Sequence, residues 1–330
     1  MPTFSLSGIA LGLGSVLIAG TFLTSLVLTY EAPPGDCESP YQAGKASELV
    51  SIVEQADGKP GVSFPTPLKT TGRELSVVTE GEGAPAFIKG YVDFDVSVFL
   101  GEDLEYLTGS SFVPNSPIRR VIDPENTDVF SVVLQCATVG SQLVLTTTLQ
   151  DIFGVIEEDE QLKNTSTVVA VIDVHQTYAQ KATGANRLPQ SGLPTVVTTT
   201  QGVHGLSFPN APIPTELRVS VLKQGTGPAI QEGGFVTAHF TGAIWNTREI
   251  FVTSFEGGIP LSLTATDLNT SPTGDGVIPG VAQALIGQTV GSRVLVSVPP
   301  ELGYAPGQAP FGIQDGSTLV YVFDILGVTQ

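Results

Sequence analysis

A chain of 330 residues is long enough for two domains rather than one, and 37 Gly, 24 Pro and abundant Val and Thr describe strand-rich, turn-rich globular protein. Lys and Arg together number 14 against 32 Asp and Glu, so the formal net charge is −18 at pH 7 and the pI about 4.3. A phosphate backbone repels such a surface, which excludes nucleic acid as a partner and leaves acidity the plainer role of keeping an exported chain soluble.

From Ser5 to Tyr30 no residue is charged, and Leu, Ile, Val, Ala, Gly and Phe dominate. Such a run exceeds the ~20 residues needed to cross a bilayer core and the ~7–15 of a cleaved signal's apolar stretch. Residues 1–30 are therefore expected to form an apolar helix, an uncleaved membrane anchor in preference to a signal. The protein is expected to be extracytoplasmic, membrane-anchored or secreted, with the membrane a partner through this segment only. Glu31, Asp36 and Glu38, just after the run, fit a C-terminal side that faces outward.

Residues 31–60 read as a polar stalk. Cys37 within it and Cys136 are the chain's two cysteines, and His175, His204 and His239 are scattered. With no Cys-x-x-Cys and no Cys/His cluster, the sequence offers neither a structural zinc site nor a thiol-redox site, and no metal or other cofactor is called for. In an exported chain two lone cysteines more often pair than stay free, so a Cys37–Cys136 disulfide is expected, two unpaired thiols being the alternative.

Beyond the stalk the chain repeats itself. Ser63-Phe64-Pro65 recurs as Ser207-Phe208-Pro209, and Glu74-Leu75 as Glu216-Leu217. Thr138-Val139-Gly140-Ser141 recurs as Thr289-Val290-Gly291-Ser292, and Ser166-Thr167-Val168-Val169 as Ser317-Thr318-Leu319-Val320. Four matches in one order describe a tandem duplication with a small insertion in the middle of the second copy. The units are placed at 61–175 and 216–330, with a linker at 176–215 rich in Thr, Pro, Gly and Asn and holding at most a strand or two.

Each unit reads as strands with one short helix. Arg218 to Leu222, Phe235 to Phe240, Val294 to Val298 and Thr318 to Ile325 alternate or run apolar as strands do. Pro279 to Ile286 is a helical turn or two, with Pro near its start and Gly287 just past its end. The expected class is α+β: two tandem domains, each an antiparallel sheet wrapped on a short helix, behind the N-terminal apolar helix.

The second unit carries five segments in order: Ala238-His239-Phe240-Thr241-Gly242, Glu249-Ile250-Phe251-Val252-Thr253-Ser254-Phe255, Gly276-Val277-Ile278-Pro279-Gly280, Val298-Pro299-Pro300-Glu301-Leu302-Gly303-Tyr304 and Ser317-Thr318-Leu319-Val320-Tyr321. Together they resemble the FKBP-type peptidyl-prolyl cis-trans isomerases over about Glu216 to Val328, so both units are expected to have FKBP-like folds. The resemblance implies a proline pocket lined by Phe240, Phe251, Val277, Ile278, Val281, Tyr304, Ile313 and Tyr321. It further implies that the Ile278 backbone N–H and the Tyr304 hydroxyl anchor the carbonyls flanking the proline, with Phe251 beside them.

Such a pocket suits the chemistry. A peptide bond resists rotation by ~18–20 kcal/mol because of its double-bond character, while cis and trans X-Pro lie close in energy, so only the rate needs help. Twisting the imide destroys resonance, and an apolar cleft that holds the twisted form binds the transition state better than the ground state. No nucleophile, metal or general base is needed.

Two positions depart from the family. Val252 stands where an Asp edges the pocket, and Val281 where a Trp usually floors it, with Phe255 or Trp245 the candidate aromatics to fill part of the gap. Losing a floor ring typically costs ~2–4 kcal/mol, which if specific to the transition state is on the order of two or three powers of ten in rate. In the first unit the repeat offsets put Val96, Phe153 and Ala170 where the second has Phe240, Tyr304 and Tyr321, so that unit is expected to be degenerate, with a structural or binding role. The function expected is isomerisation of X-Pro bonds in exported, proline-containing polypeptides, with macrolides as candidate inhibitors. The alternative is a non-catalytic FKBP-fold chaperone or proline-segment binding module.

Overall fold

A computed structural model describes residues 38–55, 58–83, 85–113, 116–126, 128–200 and 202–329. The apolar segment Ser5 to Tyr30 and Cys37 lie outside the described residues; among those described, no helix is long and apolar enough to cross a membrane.

The first unit opens with a hairpin of β1 (Ser51–Glu54) and β2 (Pro60–Ser63). There follow β3 (Glu74–Thr79), β4 (Tyr91–Leu100), β5 (Tyr106–Gly109), β6 (Ile118–Val121), α1 (Val129–Val133), β7 (Gln142–Thr148), α2 (Leu149–Phe153) and β8 (Thr167–Thr177). Its main sheet is antiparallel in the order β3-β7-β8-β4-β5, with β6 on the other half of β4. Asp128 caps α1 by accepting from the Phe130 N–H. The helix then buries Val129, Phe130 and Val133 against Val92, Phe94 and Val96 of β4 and Ala170 and Ile172 of β8.

The second unit repeats this plan. It comprises β9 (Ala185–Asn186), a hairpin of β10 (Thr195–Thr198) and β11 (His204–Ser207), then β12 (Arg218–Gln224), β13 (Phe235–Ile244), β14 (Ile250–Thr253), β15 (Leu261–Thr264), α3 (Pro279–Leu285), β16 (Arg293–Val298) and β17 (Leu319–Thr329). The order β14-β13-β17-β16-β12 mirrors that of the first sheet, with β9 added at the β12 edge and β15 on β13. Val236, Ala238, Phe240 and Ile244 of β13, and Leu319, Tyr321, Phe323 and Ile325 of β17, face α3.

The stretches expected as stalk and linker are in large part folded. Ala46, Val50 and Phe64 flank or belong to the first hairpin and pack on Val144 and Val169, on the sheet face away from α1. Leu193, Val196, Leu206 and Phe208 do the same in the second unit against Trp245, Leu295, Val320 and Val322. The two hairpins share one register: Ser51 lies opposite Ser63, and Thr195 opposite Ser207. Each unit thus begins before its hairpin, upstream of residues 61 and 216. Coverage on both faces explains why β4, β8, β13 and β17 are buried along most of their length, so that the alternating polar residues Asp93, Asp95 and Ser97 of β4 and Thr237, His239 and Thr241 of β13 are buried as well.

The units touch through an ion-paired arginine. Arg119 holds Asp93 through Nε and Nη2 at 2.6 and 2.7 Å, while Nη1 reaches Thr237 Oγ1 and Ser262 Oγ of the second unit at 3.2 and 3.3 Å. Tyr178 lies over Gly327, where a Cβ would sit 2.1 Å from Tyr178 Cε1, so any side chain there would collide.

Candidate active site

All eight residues singled out for the pocket meet in one apolar cluster between α3 and the second sheet. Phe240, Ile278, Val281 and Tyr321 are buried, while Phe251, Val277, Tyr304 and Ile313 are partly exposed at its edge. The rings touch in series. Phe251 meets Tyr321 edge-on at 5.7 Å, Tyr321 stacks on Phe323 at 5.7 Å, and Phe323 lies tilted on Phe240 at 5.5 Å. Phe323 was not singled out in the sequence, although the period-two alternation of β17 puts it on the same face as Tyr321.

Gly242 makes the ring contact possible. It pairs with Tyr321 on one side and Val252 on the other. A Cβ there would lie 2.8 Å from Phe251 Cζ and 2.9 Å from Tyr321 Cε1. Only the bare glycine lets both rings close over this point of β13.

Ile278 arrives by an extended path. Gly276 takes a φ of 153°, and a Cβ there would meet Thr266 O at 2.6 Å. Val277 donates to Thr266 O at 3.0 Å and accepts from Leu268 N–H at 2.9 Å. The Ile278 carbonyl accepts from Val281 and Ala282 at 2.9 and 3.1 Å, opening α3, and Pro279 at the first helical position has no N–H to place. The Ile278 N–H itself finds no acceptor among the described residues. Interior N–H groups seldom go unpaired.

Tyr304 follows a 3-10 turn, Pro300–Leu302. Its side chain packs at the edge of the cluster, and burial, with Tyr304 nearby, holds the Tyr321 phenol well above its ordinary value. The loop that follows is closed at its base by Gly307 N–H, which donates to both carboxylate oxygens of Asp315 at 3.1 and 3.2 Å. Ile313 turns back into the cluster, and Phe311 stands fully exposed at the tip.

Val281, on the buried side of α3, is only 2 % exposed, and a further ring would have to enter its cluster to stand in for a floor aromatic. Neither substitute suggested by the sequence does so. Trp245 packs edge-on against Phe208 at 5.5 Å behind the sheet. Phe255 is there too, stacked on His239 at 4.3 Å and edge-on to His204 at 4.8 Å. Trp245 follows β13 on the side of its odd-numbered residues, and Phe255 packs where the hairpin covers the sheet, so both point away from α3.

That rear face holds the unit's buried ion pair. Arg293 grips Asp324 through Nε and Nη2 at 2.6 and 2.7 Å, and Ala182 N–H donates to the same carboxylate at 2.9 Å. His204 Nε2 lies 3.3 Å from it. Although burial disfavours the charge on Asp324, Arg293 and His204 hold its carboxyl well below the usual range. Burial pushes the His239 imidazole down to about 4 despite nearby Asp324, and its Nδ1 lies 2.8 Å from Ser254 Oγ. These groups brace the hairpin and take no part in the cluster. Among the described residues no His, Cys, Asp and Glu side chains group so as to hold a metal ion.

In the first unit the corresponding positions hold buried Val96 and Ala170 and the 43 % exposed Phe153, and no phenol is present at any of the three. Cys136 is disulfide-bonded, and Cys37 lies outside the described residues.

The family model described as FKBP-type peptidyl-prolyl cis-trans isomerase matches residues 227–326. An FK506-binding protein of Streptomyces anulatus is 33 % identical over 125 residues, covering 37 % of this chain and 94 % of that protein. A probable FK506-binding protein of Corynebacterium glutamicum is 30 % identical over 121 residues, again 37 % and 94 %. The isomerase FkpA of Escherichia coli K12 is 32 % identical over 114 residues, 34 % of this chain and 38 % of that protein. The crystal structure of Escherichia coli FkpA aligns at TM-score 0.30 and 28 % identity over 42 % of this chain and 53 % of that one.

Proposed function

The chain belongs to the FKBP-type peptidyl-prolyl cis-trans isomerases, and from that premise we propose that its second unit turns over X-Pro bonds of exported polypeptides in the cluster around Tyr321. The observation that carries this reading is the Ile278 N–H, a donor with no described acceptor beside a ring-lined apolar site. It is placed to take the carbonyl of the residue before proline, Tyr304 to take a second carbonyl, and Phe251 and Phe240 to hold the proline ring. As the imide twists it loses resonance, and these groups favour the twisted form over the planar one. Water excluded by the rings removes its stabilisation of the planar ground state. No cofactor enters the cycle.

Ser5 to Tyr30 would hold the protein outside the cytoplasmic membrane, Cys37 and Cys136 would form its disulfide, and macrolides that fit proline pockets would compete with clients. The first unit acts in support, lacking the aromatics at Val96 and Ala170. A second reading is a proline-segment binding module without turnover, favoured by the apolar Val252 edge and the missing floor ring at Val281.

The test is a protease-coupled isomerisation assay on short X-Pro peptides with the full chain, because the β10–β11 hairpin belongs to the second unit. The control carries Phe251→Ala with Tyr304→Phe. Acceleration that the control lacks supports the enzyme; a folded wild type that binds such peptides and does not accelerate them leaves the binding module.

A further inference from the structure

One row of side chains, on the sheet face away from the helix, differs in charge between the two units. In the second unit the register sets Arg293 of β16 and His239 of β13 on either side of Asp324 of β17, and the arginine neutralises the carboxylate. The same row in the first unit holds Gln142 of β7, Asp173 of β8 and Asp95 of β4. A neutral amide takes the arginine's place, and a second carboxylate takes the histidine's. Residues directly opposite on an antiparallel ladder share a face with Cβ atoms roughly 4.5–5.5 Å apart, and like charges so placed repel.

Asp95 is 6 % exposed, and its two oxygens differ. Oδ2 lies 2.8 Å from Nε2 of His175, the extra residue where β8 bulges against β4. Oδ1 is buried and has no hydrogen-bond partner among the described residues. Asp173 is half-buried, and its Oδ1 accepts from Gln142 Nε2 at 2.9 Å. Ionised carboxylates only accept, so two that face each other share no hydrogen bond until one takes a proton. Other charges on the elements packed here are placed elsewhere. Arg119 of β6 holds Asp93. Lys59, at the start of β2, lies over the Phe112 ring at 5.9 Å, and Glu54 of β1 is exposed. On β4, β5 pairs only from Ser97 onward and β6 only up to Phe94, so neither pairs with Asp95.

We propose that Asp95 and Asp173 form a proton-operated clasp between β4 and β8: repulsion loosens it near neutral pH, and one shared proton closes it in mild acid. The proton sits on Asp173 and is donated to Asp95 Oδ1, while Oδ2 keeps His175. Burial pushes the Asp173 carboxyl above its ordinary value of 3.8, and Asp95 adds to that against Gln142 and His175. A carboxyl raised in the folded state binds its proton before the unfolded chain does. Its stabilisation is therefore full below 3.8 and is lost as the pH rises through the folded value. His239 runs the other way, so mild acid tightens the first unit while it loosens the second.

The test compares the full chain at pH 7.5 and 5 by calorimetry, with fluorescence of Trp245, the chain's single Trp, marking the second unit's transition. The first unit's melting temperature is expected to rise by about 3 °C on acidification. Asp173→Asn, whose amide donates to Asp95 without a proton, is expected to raise it already at pH 7.5 and to abolish the pH response. His175→Gln is expected to keep most of that response; its loss there would make the imidazole the sensor and refute the clasp. A first unit that loses stability on acidification, or that still responds in Asp173→Asn, would also overturn the proposal. Carbon-13 signals of Asp Cγ follow the proton without unfolding. One resonance, missing in Asp173→Asn, is expected to titrate above the other aspartates, and Asp95→Asn is expected to lower its midpoint. No Cγ titrating above the rest refutes the clasp, even if Asp173→Asn does not fold.

Discussion

Phe251 stands at the rim with its edge against Tyr321 at 5.7 Å and is not itself buried, so truncating it removes contact with the client more than it removes core. Phe251→Ala is therefore expected to reduce kcat/KM by roughly ten- to a hundred-fold, with a melting temperature close to wild type. Stopped-flow isomerisation and a thermal melt together check both halves of that statement. His239 makes the opposite case, a residue outside the site whose effect is on stability. Its imidazole is pushed down to about 4 by burial, so the folded state resists a proton that the unfolded chain accepts below its ordinary value of about 6.5. The stabilisation is complete above pH 6.5 and is lost as the pH falls from there to about 4, by roughly 3 kcal/mol at most. Denaturant titrations at pH 7 and 4.5 should show that loss in the wild type, and His239→Gln should remove its share of it.

The elements behave as pairs of faces. β13 and β17 turn one face to α3 and the site and the other to the β10–β11 hairpin, and both faces are buried. The hairpin is thus a lid on the rear of the catalytic sheet. Phe208→Ala, which removes the ring set edge-on against Trp245 at 5.5 Å, is expected to destabilise the second unit by about 2 kcal/mol while leaving the site rings in place. Chemical denaturation followed by Trp245 fluorescence measures it, and an unchanged midpoint would mean that the hairpin is not packed as described. Gly242→Ala should do the reverse. Its new methyl would press on Phe251 and Tyr321 at under 3 Å, so activity is expected to fall while sheet content by circular dichroism stays the same.

At the scale of the molecule, two units with matching sheet orders differ at the positions that matter for the site. The first retains the sheet order and a short helix under the sheet, yet holds Val96 and Ala170 where the second has Phe240 and Tyr321. Arg119 joins the two units. Removing it would leave Asp93, only 6 % exposed, without its cation, so Arg119→Ala is expected to cost the first unit about 3 kcal/mol. The bridge to Thr237 and Ser262 would be lost with it. Calorimetry should then show the first unit's transition moving to lower temperature relative to the second's.

The strand-and-short-helix character of each unit and the eight residues of the cluster were legible in the chain itself. Alternation along β13 and β17 is enough to place Phe240 and Tyr321 on one face. The hairpins were not legible: their strands are four residues long and rich in Thr, Gly and Ser, and the burial that makes them part of the fold comes from Val144, Val169, Val320 and Val322, far away in the chain. For the same reason the floor of the site could be judged only in three dimensions. Trp245 and Phe255 are near Phe251 in sequence, but the pleat sends both to the back of the sheet. The packing of Tyr304 against the cluster likewise depends on a loop returning to the sheet. Local pattern decides which face a residue occupies; only the packing of distant segments decides what it meets there.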